Sequence, residues 1–200
     1  MKAFGSMDWG FNAFGCVLWW VPQLDGHYHI YREYKFQQTP VADVAVQIKK
    51  RTADYGLELT YLAADPAMWQ KTGAGKGESI AETLLRLKVP MRKGDNDRKN
   101  GWQRVHELLR VAPDGKPWLT VNPSCRYLIR SLAGAVSDKH DPDDVDTHSD
   151  DHALDAVRYG AMSRPSVAQV TQQARRAPEG SLAWYKQEAK RRGLLGRRSA

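Results

Sequence analysis

The sequence predicts an α/β domain with a mixed central sheet flanked by helices, followed by a basic C-terminal tail. Three strand-like segments come first, and helix-like and strand-like segments then alternate, which is typical of a mixed sheet. After residue 163 the apolar periodicity gives way to paired basic residues and a Pro-Glu-Gly step. We therefore predict a folded domain over residues 1–163 and a basic linker or tail over 164–200, in which 182–192 has the pattern of one short helix.

Five segments have the length and residue types of β-strands. The pair Asp25-Gly26 separates the second from the third and favours the tight turn of a hairpin. Another hairpin turn is predicted at Pro113-Asp-Gly115. The predicted strands are Lys2–Trp9, Ala13–Val21, His27–Phe36, Glu58–Ala64 and Val89–Met91.

Helices are predicted from apolar residues that recur three and four positions apart. The clearest pattern lies between residues 40 and 55, where Val44, Ala45 and Ile48 share one face with Val41 and Tyr55. Further helices are predicted at about 78–88, 97–110, 124–133 and 151–163.

Hydropathy and charge indicate which kinds of partner the chain can have. A mean hydropathy of -0.61 and the lack of a long apolar run argue against a membrane span. Residues 1–160 hold 21 basic and 21 acidic residues, whereas residues 161–200 hold 9 and 2, so the net charge of +7 lies in the tail. Such a tail suits contact with a polyanion such as nucleic acid, and a merely solubilising tail is the alternative.

Acidic residues stand where apolar elements end, which suggests a metal site. Asp8 and Asp65 each follow an apolar strand, where a carboxylate loses hydration unless a positive group compensates it. Asp151 lies in the first turn of the last predicted helix, and Asp155 shares its face with Arg158. Ser149 or Asp150 is better suited to cap this helix, so we prefer Asp151 as the third acid. An all-oxygen ligand set favours Mg²⁺ or Mn²⁺, and two such ions can promote phosphodiester cleavage.

Several strings resemble the nuclease (C-terminal) domain of the terminase large subunit of tailed bacteriophages. Asp150-Asp-His-Ala-Leu-Asp-Ala-Val-Arg-Tyr159 is similar to the signature that closes this domain, and Phe4-Gly-Ser-Met-Asp-Trp-Gly10 to its opening strand. Leu62-Ala-Ala-Asp-Pro66 resembles its second acidic motif. Asn100–Leu109 and Pro117–Arg130 match in order and spacing, so the resemblance covers about residues 1–163.

This resemblance implies a ribonuclease H-like fold and an endonuclease that cleaves double-stranded viral DNA during genome packaging. It carries the first catalytic acid over to Asp8, the second to Asp65 and the third to Asp151, with Asp155 as an additional or outer ligand. It implies Mg²⁺ or Mn²⁺, as two ions, and places the protein in the host cytoplasm, at the procapsid. The partners it implies are double-stranded DNA, the ATPase motor domain of the same subunit, the portal and the small terminase subunit.

The sequence departs from the family pattern in lacking the ATPase motor. Gly73-Ala-Gly-Lys-Gly-Glu-Ser79 fails the phosphate-loop pattern, because Gly77 follows Lys76 where Ser or Thr is required. We therefore expect the chain to be an isolated C-terminal portion of the subunit.

Basic residues near the predicted site are candidates for DNA contacts, with an ordinary solvated surface as the alternative. The candidates are Lys71, Lys76, Arg98, Lys99, Arg104 and Arg158. Two alternative functions stay open: another ribonuclease H-like nuclease such as a junction resolvase, and a catalytically silent module that binds DNA or the portal.

Two other groups of residues have side chains of the kinds that bind metals. His27 and His29 alternate onto one face of a predicted strand, and we interpret them as surface histidines. The aspartates at 141, 143, 144 and 146 are interpreted as a solvated loop, because they lack the glycine and terminal glutamate of a calcium loop.

Removal of residues 165–200 tests the role of the basic tail. If the tail binds DNA, its removal should lower DNA affinity and flatten the salt dependence by about one unit for each phosphate that the tail had neutralised. The shortened protein should still unfold cooperatively. Binding isotherms at several salt concentrations measure the slope, and equal slopes with and without the tail would exclude the DNA role and favour docking on a packaging protein.

Overall fold

The computed structural model describes residues 1–71, 77–136, 144 and 152–164 and, in the tail, 180–181, 184–185 and 188–189. The chain divides into two compact units, Met1–Arg164 and Pro165–Ala200. In the second unit Trp184 and Tyr185 are helical, and their rings meet edge to face at 4.9 Å. Most of the predicted tail helix lies outside the described residues.

The described part of the first unit contains six strands, five α-helices and one short 3-10 helix, Pro66–Trp69. The strands are β1 Lys2–Asp8, β2 Gly15–Pro22, β3 Tyr28–Phe36, β4 Glu58–Ala64, β5 Met91–Lys93 and β6 Leu119–Val121. The helices are α1 Val41–Asp54, α2 Ile80–Arg86, α3 Arg98–Leu109, α4 Arg126–Ala133 and α5 His152–Met162.

The six strands form one mixed sheet in the order β5-β4-β1-β2-β3-β6. The pairs β1–β2 and β2–β3 are antiparallel, whereas β1–β4, β4–β5 and β3–β6 are parallel. The predicted mixed sheet is confirmed. The predicted hairpin turn at Pro113–Gly115 forms, with an antiparallel bridge between Val111 and Pro117, but it is short, and the strand that follows pairs in parallel with β3.

One face of the sheet is covered by α1 and α2. Met7, Trp19 and Leu62 point from the strands into this core and are fully buried. Val44 and Ile48 meet them from α1, as the helical spacing predicts. This apolar layer fixes which side chains of β1 face the opposite side of the sheet, because side chains alternate along a strand.

The opposite face is covered by α5, which contacts β1 and β2 and is itself packed by α3 and α4. Phe4 stacks on Trp20 at 5.5 Å between ring centroids, and Trp20 Nε1 donates to Ser6 Oγ at 2.8 Å. Asp8 lies two residues beyond Ser6, so β1 directs it towards α5.

A glycine allows α5 to approach the sheet closely. A Cβ atom on Gly160 would lie 2.5 Å from the Trp20 ring, far inside van der Waals contact. The opposite side of α5 is equally close to α3, where a Cβ atom on Gly101 would lie 2.5 Å from the Arg158 side chain. Small residues at these two crossings therefore determine where the acidic start of α5 lies.

None of the helices in the described ranges combines the length and apolar character that a membrane span requires.

The Gly160→Ala substitution tests this close packing. The added methyl group must displace Trp20 or α5, and overpacking of this kind typically costs about 1–3 kcal/mol of unfolding free energy. Gly134→Ala is the matched control, because a Cβ atom there meets only the Arg130 carbonyl oxygen at 3.3 Å. Chemical denaturation of both variants measures the difference, and equal stability would contradict the packing described.

Candidate metal centre

The parallel pairing of β1 with β4 brings two acidic residues to one end of the sheet. Met7 pairs with Ala64, and the next residues are Asp8, which ends β1, and Asp65, which directly follows β4. Parallel strands end at the same edge, so both side chains lie where β1 and β4 stop. The structure therefore places the first two predicted acids beside each other.

Asp8 is held in a buried position that disfavours its charge. Only 7% of the residue is exposed. Burial raises the pKa of Asp8 to about 6, and the negative charges of Asp155 and Asp65 also raise it, although His152 acts in the opposite direction. Asp65 and Asp155 are therefore near enough to Asp8 for their charges to disfavour its ionisation.

His152 is the direct partner of Asp8. Its Nδ1 atom lies 2.6 Å from Asp8 Oδ2, so an ionised Asp8 accepts a hydrogen bond from the imidazole. His152 is the first residue of α5. Sequence reasoning assigns this histidine no role. The available signal is its spacing of three residues from Asp155, which places both side chains on one helix face.

Asp65 also caps the short helix that follows β4. Its Oδ1 atom accepts a hydrogen bond from the Ala67 backbone N–H at 2.8 Å and so caps the 3-10 helix Pro66–Trp69. Pro66 suits the first position of this helix, because it has no N–H to satisfy there. The cap fixes one carboxylate oxygen of Asp65.

Asp155 lies at the centre of an ion network between α3 and α5. Arg158 Nε donates to its Oδ1 atom at 2.9 Å, and Arg98 Nη1 lies 3.4 and 3.3 Å from its two oxygens. Arg98 also forms a double contact with Asp144, which accepts from Trp102 Nε1 at 2.8 Å. Asp144 is thus part of this network, and its interpretation as a solvated loop residue is wrong.

The third predicted acid, Asp151, lies outside the described residues, as does Asp150. Within the described residues, Asp155 is the acid of α5 that influences Asp8. Asp8, Asp65 and Asp155 do not bring one ligand atom each within 4.8 Å of one another, since among the described residues only Asp25, His27 and Asp114 do so. The three carboxyl groups therefore do not converge on a single point among the described residues.

The predicted DNA-binding residues fall into different environments. Lys71 and Lys99 are exposed, and Lys76 lies outside the described residues. Arg98 is bound to Asp144 and Asp155. Arg104 and Arg158 are only 6% and 1% exposed and pair with Glu107 and Asp155, so burial removes both from any DNA-contacting surface.

Comparison with solved structures finds the same fold in phage terminases. The nuclease domain of the P22 large terminase superposes with a TM-score of 0.62 at 17% identity, covering 81% of this chain and 80% of that domain. The SPP1 large terminase nuclease domain with bound Mn gives a TM-score of 0.56 at 15% identity, covering 80% of this chain and 84% of that one. The predicted ribonuclease H-like fold is confirmed.

This chain is much shorter than one of the terminases that it matches. The large terminase of a thermophilic bacteriophage matches with a TM-score of 0.63 at 20% identity over 81% of this chain. The chain spans about two fifths of that protein, since the match covers 39% of it. No protein-family model matches the sequence, and none of the curated proteins does.

Asp8→Asn should stabilise the metal-free protein above pH 6. Between pH 3.8 and about 6 the folded protein keeps a proton that the unfolded chain has released, so stability falls as the pH rises through this window and stays lowered above it. The raised pKa corresponds to ~3 kcal/mol, which the neutral amide recovers while still accepting from His152.

Thermal unfolding in EDTA at pH 4 and pH 8 measures this effect. The gain from Asp8→Asn should be large at pH 8 and almost absent at pH 4. Asp54→Asn, at an exposed aspartate paired with Lys50, is the control and should show no such difference. If Asp8→Asn destabilised the protein at pH 8, the buried negative charge of Asp8 would not lower the stability of the folded protein.

Proposed function

We propose that this chain is a divalent-metal-dependent endonuclease that cleaves double-stranded viral DNA during genome packaging. The observation that carries the proposal is the buried carboxyl group of Asp8, whose pKa is raised to about 6 beside Asp65 and Asp155. A protein gains nothing in stability from crowding acids in this way. Such crowding of carboxylates with raised pKa is typical of functional sites.

The donor set fits a hard divalent cation. Carboxylate oxygens of Asp8, Asp65 and Asp155 are the ligand type that Mg²⁺ and Mn²⁺ prefer. When bound, one or two such ions would supply positive charge for the scissile phosphate and an activated water for its hydrolysis. We propose two such ions, and the Mn in the SPP1 nuclease domain is consistent with a divalent cation at this kind of site.

The remaining residues of the site orient these ligands. Arg158 is buried and holds Oδ1 of Asp155 at 2.9 Å, which leaves Oδ2 to the weaker 3.3 Å contact with Arg98. The cap at Ala67 leaves Oδ2 of Asp65 for a cation. His152 fixes the rotamer of Asp8 through its 2.6 Å contact. Supporting contacts of this kind commonly matter for metal affinity almost as much as the ligands do.

DNA would reach the site from the edge of the sheet that ends in β5. Arg92 and Lys93 are exposed on this strand, and Lys93 pairs with Ala64, the residue before Asp65. They line a cavity of about 440 Å³ together with Asn96 and Ser163. We propose that these two cations contact phosphates, with Lys71, Lys76 and Lys99 as further contacts. Phosphate contacts position a duplex without reading its sequence.

The terminase relatives suggest the wider assembly. The large terminase of the thermophilic bacteriophage is more than twice as long as the part that this chain matches. We propose that the nuclease works beside an ATPase motor of the same subunit, with the portal and the small subunit as partners. The site of action would be the host cytoplasm, at the procapsid.

The rival functions make different substrate predictions. A packaging nuclease should cut linear duplex and nick plasmid with Mg²⁺ or Mn²⁺, and EDTA should stop it. A junction resolvase should prefer a four-way junction to linear duplex, and a silent module should bind DNA without cutting. A plasmid-nicking assay with both metals, followed by the junction comparison, separates the three.

Substitution of the acids tests the ligand assignment. Asp8→Asn, Asp65→Asn and Asp155→Asn should each reduce nicking at least 100-fold while DNA binding is retained, because the charge that binds the cation is removed. Asp97→Asn is the control, since Asp97 is the exposed cap of α3 and asparagine caps equally well. The same assay on Asp151→Asn tests the acid preferred from the sequence. Full activity of Asp155→Asn with inactive Asp151→Asn would show that Asp151, not Asp155, is the third ligand.

A further inference from the structure

Three potential metal ligands meet at the end of the sheet opposite the acidic site. Asp25 lies in the turn between β2 and β3, and His27 directly precedes β3. Asp114 lies in the loop between α3 and β6. β3 and β6 start side by side, since Tyr28 pairs with Leu119, and this register brings the two loops together.

The three side chains converge closely enough for one ion. One ligand atom from each lies within 4.8 Å of the others. Nδ1 of His27 is 3.1 Å from Asp25 Oδ1, and its Nε2 is 3.6 Å from Asp114 Oδ1.

His27 is buried, yet its ring is unsatisfied. The residue is 9% exposed, so its interpretation as a surface histidine is wrong. Among the described residues, neither ring nitrogen has a hydrogen-bond partner with acceptable geometry, although both are shielded from water. Asp25 Oδ1 is thus close to Nδ1 at 3.1 Å without lying in line with it, and Asp114 Oδ1 at 3.6 Å is beyond hydrogen-bond distance of Nε2. A buried polar group without a partner is costly, so a ligand is the expected explanation.

Neighbouring groups orient all three ligands: backbone N–H groups contact the two carboxylates, and a tryptophan ring stacks on the imidazole. Asp25 Oδ1 accepts from the His27 backbone N–H at 3.1 Å, and Asp114 Oδ1 accepts from the Lys116 N–H at 3.0 Å. The Trp118 indole stacks on the imidazole at 4.7 Å, which fixes the plane of the ring. His29, two residues on, is instead partnered by Thr120 through its Nδ1 atom at 2.8 Å.

We propose that Asp25, His27 and Asp114 bind a transition-metal ion of the Zn²⁺, Co²⁺ or Ni²⁺ class, independently of the nuclease site. An imidazole nitrogen with two carboxylate oxygens suits these borderline ions better than Mg²⁺ or Ca²⁺. Both carboxylates are about half exposed, at 55% and 43%, so the ion has a route in and water can complete its coordination.

The ion would fasten two loops that are far apart in sequence. It would join the β2–β3 turn to the α3–β6 loop and stabilise only the folded protein, because the unfolded chain does not assemble the three ligands. Its role is thus structural, and nuclease activity with Mg²⁺ should not depend on it.

Zn²⁺ titration of the full chain carrying Asp8→Asn and Asp65→Asn isolates this site from the catalytic acids. Calorimetry should show one site, and the unfolding temperature should rise by roughly 5–10 °C at a Zn²⁺ concentration 100 times its Kd. His27→Gln should abolish both effects, and Asp114→Asn should weaken binding at least tenfold. His29→Gln is the matched control and should bind as before.

The alternative is that these three side chains form an ion cluster that binds no metal. The same titrations distinguish the two possibilities. Equal isotherms for the parent and the His27→Gln and Asp114→Asn variants would overturn the proposal. Because Asp114 is exposed on a loop, its variant should fold even if His27→Gln does not. Failure of this site leaves the nuclease proposal untouched, since nicking by the protein with intact Asp8 and Asp65 is measured separately.

Discussion

β1 and β4 run parallel with Met7 opposite Ala64, and this one register decides where the chemistry of the molecule lies. It places Asp8 and Asp65 at the same edge of the sheet, one residue beyond the last apolar pair. A shift of one residue would turn either side chain to the face covered by α1 and α2. The apolar residues Met7 and Ala64 oppose that shift because both are fully buried in this core.

The third side of the site depends on the position of α5. Gly160 lets the helix contact Trp20, and Gly101 lets α3 approach Arg158 from the other side. The helix so placed presents His152 to Asp8 and Asp155 to Arg98 of α3, while Arg158 of the same helix holds Asp155 from within α5. Arg158 is buried, and an unpaired buried guanidinium would be strongly destabilising, so Asp155 keeps its orientation. The packing of the domain and the proposed metal site thus both depend on where this helix lies.

Much of this arrangement is predictable from the sequence, and the reasons for the failures are physical. Alternation in Lys2–Asp8 and the bounds of β4 depend on local patterns that the folded protein keeps. The pairing of β6 with β3 is a long-range contact, so the local turn residues at Pro113–Gly115 predict the turn but not this pairing. The basic appearance of Arg104 and Arg158 does not reveal their burial, because helix faces are assigned only once α3 and α5 meet. The convergence of Asp25, His27 and Asp114 has the same origin, since two loops distant in sequence form it.

A crystal structure of the chain with Mn²⁺ tests the central claim most directly. Anomalous difference density locates the ion without any assumption about activity. We expect a peak bonded to carboxylate oxygens of both Asp8 and Asp65, with Asp155 in the ligand shell of that ion or of a neighbouring one. Mn²⁺ that is well ordered elsewhere in the crystal but absent from Asp8 and Asp65 would contradict it.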